Sequence, residues 1–158
     1  MLPKHIYSCT RKIITIGQFK ADDVLPYICS DKRGIRKEYI VNNKSYIVKM
    51  NSPRYKIFSQ NAKCIACGLK GELYLLERHR SVDPKWKYTS AHFNLYAIEN
   101  DVLVLLTKDH IKSKSKGGLS SLTNYQTMCE ICNYLKQSSE DVDNDMIGKI
   151  RAVYNSLR

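Results

Sequence analysis

An α+β fold with a small core held by a metal is what this sequence predicts, and three observations carry the expectation. Two Cys-x-x-Cys pairs, Cys64/Cys67 and Cys129/Cys132, have the spacing of knuckles that together close a tetrahedral Zn²⁺ site. Between them lie short runs of apolar and β-branched residues that read as strands. The second pair then opens a helical stretch. At 158 residues the chain has room for one domain, or for a compact core with an appendage.

Taken in order, residues 1–50 are expected to form a basic, β-rich N-terminal extension. Lys12 to Ile16 is strand-prone, and Glu38 to Val41 and Ser45 to Met50 flank a polar Asn42-Asn43-Lys44 turn, which predicts a hairpin. Arg36, Lys37, Lys44 and Lys49 lie on its strands, so one face could meet phosphate, although solvated charge is the more frequent reason for such residues. The core is expected over 51–138. Ser52 and Pro53 cap a short helix running to about Asn61, with Tyr55 and Phe58 sharing a face. Gly68, directly after the first knuckle, suits a turn that needs positive φ.

Glu72 to Glu77, Phe93 to Glu99 and Val102 to Thr107 predict three strands, the last two joined at Glu99-Asn100-Asp101. Lys112 to Gly118 is a polar loop with lysines at alternate positions. A short extended piece after Asn124 leads to Cys129, and Glu130 to Gln137 is expected to be a helix. Residues 139–158 close the chain with Val142, Met146, Ile150, Val153 and Leu157, the spacing of an amphipathic helix that packs on the core.

Charge points to a polyanion. The 26 Lys+Arg against 15 Asp+Glu leave +11, which favours nucleic acid, with a merely soluble basic protein as the plain alternative. Val102 to Leu106, the longest wholly apolar run near the middle, is far too short to span a membrane. The opening MLPKHIYSCT lacks the apolar stretch of a secretory signal, so a cytoplasmic, reducing compartment is expected. There, paired cysteines serve metals more readily than disulfides, and Cys9 and Cys29 are expected to be free thiols.

A zinc held by four thiolates has no open position for a substrate, so any chemistry must lie beside it. Asp109-His110 ends a predicted strand, and Asn133 directly follows Cys132. Closing the knuckles would bring together two oxygen donors and a base whose ordinary pKa lies near neutrality. That set suits metal-assisted hydrolysis of a phosphodiester. Oxygen-only ligation by Asp109 and Asn133 favours a hard ion, Mg²⁺ with Mn²⁺ as substitute, completed by substrate phosphate and waters.

The run Leu106 to Ile111, then Ser115-Lys116-Gly117-Gly118, Asn124 and Cys129-x-x-Cys132-Asn133-x-x-Lys136, resembles the motif of the HNH, or ββα-metal, endonucleases. The similarity reaches back through His92 to Tyr96 to the first knuckle and Arg54, covering roughly residues 50–138, and resembles phage and bacterial members with a treble-clef zinc knuckle. The resemblance implies that His110 is the general base and that Asp109 and Asn133 hold the catalytic ion. Asn124 would fix the loop that positions His110, and cleavage would leave 5′-phosphate and 3′-hydroxyl ends. Ser113 stands where many members have proline, which alters loop stiffness rather than chemistry.

Lys112, Lys114, Lys116 and Lys136 are the candidate phosphate contacts. His92 is expected to be a hydrogen-bonded structural residue, and Trp86 and the tyrosines to serve packing more than base stacking. The expected partner is double-stranded DNA, nicked by a monomer, with double-strand cleavage requiring a homodimer or two events, and with recruitment by a protein partner also open. Two rivals stay open: a zinc-dependent DNA-binding module without catalysis, and an RNA-directed nuclease built on the same residues.

Overall fold

The computed structural model describes residues 4–5, 13–28, 35–136 and 152. Its strands are β1 (Lys4–His5), β2 (Ile13–Phe19), β3 (Arg36–Val41), β4 (Lys44–Lys49), β5 (Leu73–His79), β6 (His92–Glu99), β7 (Val102–His110) and β8 (Tyr125–Cys129). The helices are α1 (Ala21–Val24), α2 (Pro53–Gln60) and α3 (Glu130–Lys136). Except for helical Ala152, the amphipathic helix expected at the C-terminus lies outside the described residues, as do Cys9 and Cys29. No described helix is long and apolar enough to cross a membrane.

The main sheet runs β7-β6-β5-β2, and β1 and β8 share the remaining edge of β7. β1 pairs in parallel with Val102 and Leu103 at the start of β7, while β8 pairs antiparallel with Leu106 to His110 at its end. From β5 to β8 each strand is antiparallel to the next in sequence. The β6–β7 turn uses Asn100 and Asp101 at φ 49° and 60°, and the β3–β4 hairpin uses Asn42 and Asn43 at 51° and 60°. Asn and Asp tolerate the left-handed region better than other non-glycine residues, which is why these positions read as turns.

Alternation along the strands separates two apolar clusters. Leu73, Leu75, Tyr96 and Leu103 form the smaller one. Tyr74, Leu76, Phe93, Leu95, Val104 and Leu106 face a larger core that also takes Tyr55 and Phe58 of α2 and Ile131 of α3. Because the sheet is covered on both sides, β6 is buried continuously from Phe93 to Ala97.

Described residues of the N-terminal segment also pack against this core. β2 pairs with β5 along its length, and Tyr39, Val48 and Met50 from the hairpin region lie in the larger cluster. Phe19, Tyr39 and Phe93 meet edge to face, with centroids 4.9 to 5.3 Å apart.

Candidate metal centres and catalytic residues

The first knuckle is a tight turn made by its own backbone. Gly68 at φ +76° lets its N–H donate to the Cys64 carbonyl, and the Cys64 N–H donates to the Leu69 carbonyl. The Ile65 N–H donates to the Thr127 carbonyl, which ties the knuckle to β8. Cys129 ends β8 and Cys132 lies in the first turn of α3, where its N–H points to the Cys129 sulfur at 3.4 Å.

All four sulfurs lie within 4.8 Å of one another, and Cys67 Sγ and Cys129 Sγ are 3.8 Å apart. A tetrahedron with Zn–S bonds of about 2.3 Å has edges of about 3.8 Å, so the donor set fits zinc in number, type and spacing. Thiols this close cannot share one protonation state. Hydrogen bonds from Cys129 and Cys132 hold the Cys64 thiol far below its ordinary pKa, while the Cys129 contact pushes Cys132 far above. A dication among them removes that conflict.

β7 carries the candidate catalytic residues from this scaffold to the edge of the sheet. Its successive side chains take opposite sides. Thr107 and Asp109 engage α3 and β8, whereas Lys108 and His110 turn to Tyr125. Asp109 Oδ2 accepts from Lys136 Nζ and from Gln126 Nε2, each at 2.8 Å. Lys136 Nζ also donates to the His110 carbonyl at 2.7 Å. Lys136 is 1% exposed, so the residue expected to face DNA instead holds the end of β7 together. Its side chain is buried and its ammonium meets the Asp109 carboxylate, an arrangement that charge alone does not reveal in a sequence.

Asn133 is oriented by a hydroxyl. Thr107 Oγ1 donates its single proton to the Met128 carbonyl at 2.8 Å, so it can only accept from Asn133 Nδ2, at 2.9 Å. That fixes the amide and leaves its oxygen as the end available to a cation. Asp109 Oδ1 and Asn133 Oδ1 are thus the oxygens that would hold a hard ion.

His110 packs edge to face on Tyr125, with ring centroids 4.8 Å apart. Its Nε2 is shielded and has no hydrogen-bond partner among the described residues, although the residue as a whole is half-buried. Loss of solvation, then the charges of Lys108 and Lys114, lower its pKa and favour the neutral imidazole. Tyr125 carries Lys108 Nζ at 3.7 Å above its ring. Its phenol pKa is lowered, first by the Ser120 hydroxyl and then by Lys108.

Asn124 pins the loop between β7 and β8. Its Oδ1 accepts from the Lys112 N–H at 2.8 Å, and its Nδ2 donates to the carbonyls of Lys112 at 3.0 Å and Leu119 at 2.8 Å. Its own carbonyl accepts from the Ile111 N–H. Gly117 takes φ +83°, and a Cβ on Gly118 would collide with the Lys112 carbonyl. Both glycines of the loop are therefore demanded by its path. Lys112, Lys114 and Lys116 are all exposed on it.

Three contributors were not singled out from the sequence: Thr107, Gln126 and Tyr125. Each acts by pairing across β7 and β8 or against α3, and neither spacing nor residue type signals such contacts.

The family model described as HNH endonuclease matches residues 96–139. That stretch takes in Asp109, His110, Asn124, Cys129, Cys132 and Asn133, and leaves Cys64 and Cys67 outside it. No curated protein and no solved structure matches the chain.

Proposed function

With residues 96–139 matched by the HNH endonuclease family model, we propose that this protein is a metal-dependent endonuclease that hydrolyses DNA phosphodiester bonds, using His110 as general base and Asp109 and Asn133 as ligands of one Mg²⁺ or Mn²⁺. The observation that carries the reading is the end of β7. There an imidazole whose Nε2 has no hydrogen-bond partner among the described residues adjoins two oriented oxygen donors, with Lys136 joining Asp109 to the His110 carbonyl and Thr107 holding Asn133.

In-line displacement at phosphorus needs the attacking water and the leaving oxygen on opposite sides. His110 and the Asp109/Asn133 pair engage opposite sides of β7, which suits a phosphate lying across the strand end. The His110 imidazole takes the proton from the attacking water, and general-base assistance of this kind is worth about 10²- to 10⁴-fold. A bound divalent ion supplies stabilisation of the charge that builds on the phosphate and leaving 3′ oxygen. Lys136 and Gln126 hold Asp109 in one rotamer, and Thr107 holds Asn133. The products are a 5′-phosphate and a 3′-hydroxyl, and one site per chain makes nicking the primary event. The four cysteines hold structural Zn²⁺.

Incubation of the purified protein with supercoiled plasmid and Mg²⁺ or Mn²⁺, followed by end mapping, tests the reading. Nicked circles that fail to form with EDTA are expected. Retained DNA binding without nicking would instead mark a zinc-dependent binding module, and preferential cleavage of RNA in a parallel digestion would redirect the substrate.

A further inference from the structure

Two clefts adjoin beside the candidate catalytic residues, and both are lined by Ser52, Pro53 and Arg54. The smaller, about 330 Å³, reaches Thr107 and Lys108 on β7. The larger, about 740 Å³, continues away from β7 to Arg36 and Lys49 on the hairpin and to Ser90 and His92 at the start of β6. Together they make one path from the end of β7 to the open face of the β3–β4 hairpin.

The basic groups on this path are arranged at a cost. Arg36 and Lys49 are direct cross-strand partners, and both are exposed. Like charges opposed in that way destabilise a hairpin. Neither has a carboxylate partner among the described residues; Glu38, on the same face, is engaged with Ser45. An anion between the two cations would turn the repulsion into attraction.

Arg54, where the clefts meet, is held from behind. Its Nη1 donates to Asn94 Oδ1 at 2.9 Å, and Asn94 Nδ2 donates to Glu77 Oε2 at 2.6 Å. Asn94 is 3% exposed and Glu77 is fully buried, its carboxylate also accepting from Thr15 and Tyr96. The buried acid thus anchors the guanidinium through one amide, and the guanidinium, which also meets Tyr55, lines both clefts.

We infer that this path is the track of the DNA backbone leading away from the scissile phosphate, with Arg54 gripping one phosphate and Arg36 and Lys49 sharing others. The inference rests on the nuclease reading for the identity of the polyanion. It assigns substrate binding to the hairpin, which lies outside residues 96–139.

Fluorescence anisotropy of a labelled DNA duplex over a range of salt concentrations tests it, comparing the wild type with an Arg36→Ala/Lys49→Ala double variant. A Lys20→Ala/Lys70→Ala variant, which removes two exposed charges that line neither cleft, is the control. The groove variant should lose roughly tenfold in affinity, and its slope of log K against log salt should fall by about 1.8, the release of two phosphates. Its melting temperature should be no lower than that of the wild type, and the control should keep the wild-type slope.

Equal slopes for groove variant and control would overturn the track, even with plasmid nicking intact. A wild type that binds without nicking would defeat the nuclease reading while the slopes still judge the track. A wild type that does not bind the duplex would overturn both.

Discussion

Thr107 shows how a single proton sets the candidate centre. Because its hydroxyl hydrogen goes to Met128, the Asn133 amide has only one satisfied orientation. Thr107→Val should let that amide rotate and lower Mg²⁺-dependent nicking by about 10- to 100-fold, the usual effect of losing a partner of a metal ligand. Zinc content and melting temperature should hold, and a nicking rate within twofold of wild type would refute the role. His110→Ala should cut nicking by about 10²-fold or more with DNA affinity, zinc and melting temperature nearly unchanged. Lys136→Met removes one partner of a buried pair, and loss of about 3 kcal/mol in urea unfolding is expected. His110, Asp109 and Asn133 stand out in the sequence because a base and two oxygen donors flank cysteine ligands at motif spacing. Lys136 does not, since nothing in a lysine's type tells whether its ammonium reaches solvent or a buried carboxylate.

Among the elements, the loop from Ile111 to Asn124 is held largely by one side chain. Asn124→Ala would remove its three side-chain bonds at once. The expected outcome is faster proteolysis between Lys112 and Leu119 and slower nicking, with the remaining fold intact; an unchanged cleavage pattern by limited proteolysis would contradict it. Turns and short strands were legible here because their signals are local: Asn-Asn and Asn-Asp at the hairpin tips, alternation or apolar runs between them. Pro53 likewise marks the start of α2. The pairing of β2 with β5 and the split of the β7 edge between β1 and β8 were not legible, because pairing across long stretches of chain depends on core shape rather than on neighbouring residues.

For the whole molecule, the four-cysteine set is the candidate staple. It joins a turn before β5 to the junction of β8 and α3, so the strands between are enclosed by it. Cys129→Ala should lose zinc and unfold the core, since such ions supply of order 10 kcal/mol to small domains. Native zinc stoichiometry with an unshifted melting curve would contradict this. The same fold explains why charge could be read for partner class only: +11 predicts attraction to a polyanion, but the path along Arg54, Arg36 and Lys49 exists only once the hairpin has docked on the sheet.

Because β5, β6, β7 and β8 each lie beside the next in sequence, three successive reversals of the chain bring the cysteine pairs together in the folded protein. Completing the four-sulfur set and closing the meander are therefore one coupled event, and zinc uptake by refolding protein, followed with a competing indicator, is expected to coincide with recovery of native β-sheet signal.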